Sequence, residues 1–234
     1  MQVYNPFHDP LVDSIPGTNQ DYSPTYWVAS AGLPPQTNGP VPGDMDADVV
    51  IVGSGATGIS TALYLAQEYG IQAVILEANQ TAWGCSSRNG GQGQNASGRL
   101  SRSQWIERWG LDTAKRLDRE IRTGFDNFAQ LTSEIDCEAT PGGHLYVAHR
   151  PDKLAYLENE AHVKRSIFGY KPQILSVAEI KERYCDDRDA HGALLEEEGI
   201  GIHPLKFNFG MLKKAQALGV KIYTGSPVLE SKSI

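Results

Sequence analysis

Asp48-Val49-Val50-Ile51-Val52-Gly53-Ser54-Gly55-Ala56-Thr57-Gly58 decides how the rest of the chain is read. The β-branched run up to Val52 fits a strand buried on both faces. From Ala56 to Tyr69 the apolar residues Ile59, Ala62, Leu63 and Ala66 recur at helical spacing, and Gly70 ends that helix as a C′ glycine. Ala73-Val74-Ile75-Leu76 reads as a second buried strand, with Glu77 at its end. Strand, glycine turn, helix and strand within about thirty residues make one βαβ unit.

The turn itself, Gly53-Ser54-Gly55-Ala56-Thr57-Gly58, has the form GxGxxG. That pattern is weak alone and specific in this setting, between a strand and a helix with an acidic residue after the next strand. Gly53 permits the tight turn, Gly55 lets the backbone approach a pyrophosphate, and Gly58 lets the helix pack closely on the strand. The pyrophosphate would sit where free N–H groups and the positive helix end point at it. Glu77 would offer its carboxylate to a ribose hydroxyl. With no arginine beside it, Glu77 argues against a 2′-phosphate.

Outward from this unit, residues 1–45 hold scattered aromatics among Pro, Gly, Asn, Asp and Ser, and read as an extended arm pinned to a surface. Residues 79–101 read as loop. A long amphipathic helix starts at Leu111 and runs through Ala114, Leu117, Ile121, Phe125, Phe128 and Leu131. A short strand follows at Leu145–Ala148, then a helix opened by Pro151 and a short one opened by the capping box Ser176-Val177-Ala178-Glu179. Residues 192–203 suggest one or two strands with a glycine-rich kink. Leu205–Leu218 is helical, Gly219 stops it, and Val220–Tyr223 is a strand.

A second motif, Trp83-Gly84-Cys85-Ser86-Ser87-Arg88-Asn89-Gly90-Gly91-Gln92, follows Glu77 closely. Together with Val50–Gly55 and Leu76-Glu77-Ala78 it resembles the D-amino-acid-oxidase-like family of FAD enzymes, most nearly its gamma-glutamylputrescine oxidoreductase branch. There the segment typically reads G-A-S-G-R-N-G-G-Q; here Cys85 replaces the Ala and Ser87 the second Gly. Ile202-His203-Pro204-Leu205 and Pro227-Val228 resemble the family's return to the cofactor domain. The resemblance implies an α/β fold, in which a Rossmann-like FAD-binding domain with a parallel sheet is interrupted by part of a mixed α+β substrate domain. The expected division is 46–100 with 200–234 for the incomplete FAD-binding domain, and 101–199 for a helical segment and partial substrate domain.

The resemblance also implies FAD contacts from the turn residues Gly53, Ser54, Gly55, Ala56, Thr57 and Gly58, from Glu77 and Ala78, from the loop Ser86, Ser87, Arg88, Asn89, Gly90 and Gly91, and from Val228 beside the adenine. Ser86 would donate to the pyrophosphate. Arg88 is expected near the isoalloxazine as the catalytic cation, favouring the reduced, anionic flavin; the other reading is a surface arginine in an ion pair. For Ser87 and Asn89, plain turn chemistry is the alternative. Cys85 reads as a small loop residue, with covalent flavin attachment left open. The implied reaction is oxidation of an amine or amino acid, with hydride transfer to flavin N5 and hydrolysis of the resulting imine. A pyridine-nucleotide dehydrogenase and a non-catalytic nucleotide-binding module are the competing readings, and the Ser86–Gly91 loop speaks against the former. Because family enzymes are much longer, a piece with a complementing C-terminal half is one expectation; a homo-oligomer is another.

The 234 residues are 40% hydrophobic and 21% charged, with net charge -7, an ordinary globular composition without the basic footprint of a nucleic-acid or anionic-membrane binder. Cys85, Cys137 and Cys185 form no CxxC pair, and the six histidines lack ligand spacing, so neither a metal nor a disulfide framework is expected. No signal peptide or membrane span is read, and a reduced cytoplasmic compartment is the expectation. Glu196-Glu197-Glu198 reads as a solvated run, His144 as a turn histidine without a carboxylate partner, and Trp105 and Trp109 as core.

Overall fold

The computed structural model describes residues 18–232. They divide into two units: residues 18–91, 132–138 and 202–232 in the first, Gln92–Leu131 and Ala139–Gly201 in the second.

In the first unit, β1 (Val50–Val52), β2 (Val74–Leu76) and a later strand at Lys221–Tyr223 form a parallel sheet, with β2 in the middle. Between β1 and β2 runs α2 (Ala56–Tyr69), which buries the expected Ile59, Ala62, Leu63 and Ala66. Gly70 ends α2 in the left-handed conformation, φ +67°, its N–H returning to Ala66 and Leu65. A later helix at Pro204–Ala217 packs against α2 and buries Leu205, Phe209, Met211 and Leu212. One expectation is corrected here. β1 is not buried on both faces: Val50 is 51% and Val52 68% exposed. It pairs only with β2, so its other side is an open edge among the described residues.

The N-terminal segment is less irregular than its composition suggests. A short helix, α1 (Tyr26–Ser30), is capped by Thr25 and brings Trp27 and Val28 with Tyr22 and Ala31 onto Ala82, Leu205 and Phe209. The arm is therefore pinned to its own unit over these residues. Tyr4 and Phe7 lie outside the described residues.

In the second unit, β3 (Gln92–Gln94), β4 (Thr140–Pro141) and a strand at Gly199–Gly201 form one antiparallel sheet. A second antiparallel sheet joins β5 (His144–Ala148), β6 (Gln173–Leu175) and β7 (Gly192–Glu196), with β7 central; the Gly199–Gly201 strand is β8. Three helices precede or flank β6: α3 (Arg102–Trp109), α5 (Pro151–Phe168) and α6 (Val177–Arg183). The long α4 (Leu111–Glu134) ends in the first unit; α7 is Pro204–Ala217 and β9 Lys221–Tyr223. β3 and a single 3-10 turn at Cys85–Ser87 give order to the segment expected to be loop throughout.

Arg102, not singled out by sequence, is the pin of the second unit. Its Nε donates to Asp118 at 2.6 Å, its Nη2 to Asn95 and the Tyr170 hydroxyl at 3.0 Å each, and it is 1% exposed. A buried guanidinium is tolerated only when its donors are matched in this way. Glu196 is also corrected: it is not solvated but lies at the buried end of β7, bonded to Lys164 and 3.1 Å from His144 Nε2. His144 therefore opens β5 beside a carboxylate, because alternation along β5 and β7 brings the two residues opposite one another. Trp105 is buried, whereas Trp109 is 44% exposed: it shares the face of Trp105 but is the last residue of α3, one turn further on, where Gly110 ends the helix.

Candidate functional site

At the turn, Gly53 has φ +91°, a conformation that suits glycine. A Cβ on Gly58 would lie 2.0 Å from the Gly53 carbonyl oxygen and 3.2 Å from Ile51 Cγ2, so only glycine lets α2 start this close to β1. A Cβ on Gly55 would meet the Ser86 hydroxyl at 3.1 Å. Gly55 caps α2 without a side-chain hydrogen bond. Ser86 Oγ accepts from the Ala56 N–H at 2.9 Å, so the motif-two serine stands at the N-terminus of α2. The remaining N–H groups of the first turn are the kind that bind anionic oxygens.

Glu77 closes the same region. Its Oε2 accepts from the Ser54 N–H at 2.8 Å and the Ser54 hydroxyl at 2.7 Å, and its Oε1 from the Asn79 N–H at 2.8 Å. A carboxylate has about four acceptor positions, so one stays open for a ligand hydroxyl. The Ser54 hydroxyl in turn accepts from the Ala82 N–H at 3.1 Å, tying turn, strand end and loop together. Ser226 N–H donates to the Glu77 carbonyl at 2.8 Å, which brings the segment of Val228 alongside; Val228 is 40% exposed.

The loop after Glu77 spends much of its polarity on itself. Ser87 Oγ donates to the Trp83 and Gly84 carbonyls. Asn89 donates to the Cys85 carbonyl and accepts from the Gly91 N–H. Gly91, at φ +67°, lies so close to the Ile202 carbonyl that a Cβ would sit 2.1 Å from it. Arg88 donates to Ser23 Oγ, and its Cζ lies 4.6 Å from the centroid of the Trp83 ring. Tyr22, whose hydroxyl donates to the Thr81 carbonyl at 2.6 Å, has its phenol pushed up by burial first and by the Glu77 charge second.

This chain matches the family model described as FAD dependent oxidoreductase (DAO) over residues 48–233. The chain belongs to that family. Its relatives include gamma-glutamylputrescine oxidoreductase of Escherichia coli, 36% identical over 186 residues, which cover 78% of this chain and 42% of that protein. The probable oxidoreductase OrdL of Haemophilus influenzae is 30% identical, with coverage of 79% and 42%. The chain thus spans less than half the length of these relatives. Among solved structures, L-amino acid deaminase from Proteus vulgaris aligns with TM-score 0.63 at 24% identity, covering 81% of this chain and 43% of that one. Glycine oxidase from Bacillus cereus aligns with TM-score 0.58 at 20% identity, covering 77% and 46%. Both share the fold. The FAD expectation agrees with the family, whose members are flavoproteins.

In this DAO-family chain the turn, Glu77 and Ser86 are brought together by direct hydrogen bonds. The Arg88 guanidinium is engaged by Ser23 and Trp83, and Gly90 is an exposed loop residue. Sequence reasoning missed Asn208, buried on α7, whose Nδ2 donates to the Ser86 carbonyl at 3.1 Å. A polar residue within the apolar stripe Leu205, Phe209 and Leu212 was the available signal. It also missed Ser23, which nothing in the arm's composition marks. No helix among the described residues is long and apolar enough to cross a membrane.

Proposed function

We propose that this chain is the FAD-binding portion of an oxidoreductase that oxidises the C–N bond of an amine or amino acid. The observation that carries the reading is the first unit's site: a helix N-terminus capped by a glycine, the Ser86 hydroxyl on its first N–H, and Glu77 on the adjoining strand end. These residues fit the pyrophosphate and adenosine ribose of FAD. The glycine at position 55 keeps the approach to the helix free, and Ser86 can exchange the Ala56 N–H for a phosphate oxygen. Glu77 fixes Ser54 and keeps one acceptor position for a ribose hydroxyl. FAD when bound supplies the redox chemistry, accepting a hydride from the carbon that bears the nitrogen. Arg88 is the cation assigned to reduced, anionic flavin in this reading.

A second reading is favoured by the open edge of β1 and by the span of less than half the relatives' length: a FAD-binding module that turns over only with further polypeptide, continuous or separate. Both readings take FAD and not NAD, because the family that matches residues 48–233 is one of FAD dependent oxidoreductases and the Ser86–Gly91 loop resembles its cofactor loop. Titration of the purified chain with FAD and with NAD, followed by flavin fluorescence and by thermal unfolding, tests them. Stabilisation by FAD alone is expected. Stabilisation by NAD alone overturns both, and amine-dependent bleaching of bound FAD in the chain by itself excludes the second.

A further inference from the structure

Five consecutive residues of the N-terminal segment, 19–23, each hold one position of the loop that follows Glu77. Asn19 N–H donates to the Ala78 carbonyl at 3.2 Å. Gln20 N–H donates to Asn79 Oδ1 at 2.9 Å. The Asp21 carbonyl accepts from Trp83 Nε1 at 2.8 Å. Tyr22 reaches the Thr81 carbonyl, and Ser23 Oγ accepts from Arg88. Behind them Trp27, Val28 and Ala31 seat the segment on Ala82, Leu205 and Phe209.

A segment that only covered apolar surface would need the last of these contacts and none of the first five. The run of hydrogen bonds follows the loop, and it ends on the loop's one arginine. That guanidinium is gripped from two sides, by the Ser23 hydroxyl and by the Trp83 ring, and Trp83 is itself oriented by Asp21. A planar cation stacked on an aromatic ring and hydrogen-bonded at one edge has few orientations left.

We propose that residues 19–23 are a strap that orders the cofactor loop, and that Ser23 is a positioning residue for Arg88. The second part rests on the FAD reading above. The strap sets which way the guanidinium points before the cofactor arrives, so the cost of ordering the loop is met in folding and not in binding. Asp21 acts through its backbone, so its side chain is free to vary. Ser23 acts through its hydroxyl, which threonine can supply and alanine cannot.

Two measurements on the whole chain test this, with wild type, Ser23→Ala, Ser23→Thr and Arg88→Met. The first is amide hydrogen exchange across residues 78–91. Ser23→Ala is expected to speed exchange at 83–88 by about tenfold, the order of one hydrogen bond to a charged group, with Ser23→Thr near wild type. Unchanged exchange in Ser23→Ala overturns the strap, whether or not FAD binds. The second is the midpoint potential of bound FAD. It is expected to fall in Arg88→Met, to fall less in Ser23→Ala and to hold in Ser23→Thr. A fall in Arg88→Met without one in Ser23→Ala overturns the positioning role alone. An unchanged potential in Arg88→Met removes the role given to Arg88, and that of Ser23 with it. A wild-type chain that takes up no FAD overturns the cofactor reading and the positioning role, while exchange still decides the strap.

Discussion

Glu77 does two jobs with one carboxylate. It accepts three protein hydrogen bonds, two from Ser54 and one from Asn79, and keeps an acceptor position for a ligand. Glutamine in its place would turn one oxygen into a donor and set it against an N–H. Glu77→Gln is therefore expected to lower stability by about 1–3 kcal/mol and to weaken FAD binding by about tenfold or more. Denaturant unfolding without ligand and FAD titration measure the two effects separately; unchanged affinity would remove Glu77 from the site. The first effect was not legible in the sequence. GxGxxG and Glu77 could be read as ligand contacts because their spacing has a known geometric purpose, yet nothing in the spacing says that Ser54 bonds back to Glu77. Ser86 was legible only through the resemblance carried by its loop, since no spacing rule marks it, and its hydroxyl accepts from the Ala56 N–H. Ser87 and Asn89 were left between ligand and turn roles, and their side chains engage neighbouring backbone groups.

Periodicity located the elements that bury one face. α2, α4, α5 and α7 fall where apolar spacing put them, because a helix packed on a core must repeat its apolar side. α3 was missed although Ser101 and Gln104 form a capping box, since the helix is short and carries a buried arginine on its inner side. β1 was misjudged for a different reason: a β-branched run reports β preference, not how many neighbours a strand has. At the start of α7, the geometry of His203 makes it a testable cap. Its Nδ1 accepts from the Lys206 N–H at 3.1 Å, and its Nε2 lies 3.1 Å from Ser30 Oγ. Burial first, then Lys206, hold the imidazole below its ordinary value, against the opposing pull of Glu138. Protonation of Nδ1 would replace an acceptor by a donor facing an N–H. The folded state thus binds this proton less readily than the unfolded chain. The stability from His203 is complete above the unfolded value of about 6.5 and is lost as pH falls from there toward the depressed folded value. His203→Asn keeps an acceptor at the cap and cannot titrate. The difference in unfolding free energy between wild type and His203→Asn should shift against wild type as pH falls below about 6.5; parallel curves would show that the cap does not sense pH.

At the scale of the molecule, the candidate residues are unevenly shared. Gly53–Gly58, Glu77, Ser86–Gly91 and Val228 all belong to the first unit, and so do the strap and α7. The second unit is held by its own means, the sheet β5-β7-β6 under α5 and the Arg102 node. A ligand that binds only the native first unit stabilises it by mass action, by about 2.7 kcal/mol at a hundredfold excess over Kd. That free energy appears in the opening reactions that expose the site, and it reaches the second unit only through openings in which both units unfold. Amide exchange with and without FAD is therefore expected to slow at β1, β2, β9 and the first turn of α2. Amides of β5, β6 and β7 that open locally should exchange at the same rate in both conditions. Slowing confined to the second unit would move the cofactor out of the glycine turn and away from Glu77. Equal slowing across both units would mean that the chain opens as one cooperative body, and the site would then have to be located by Glu77→Gln in place of the exchange map.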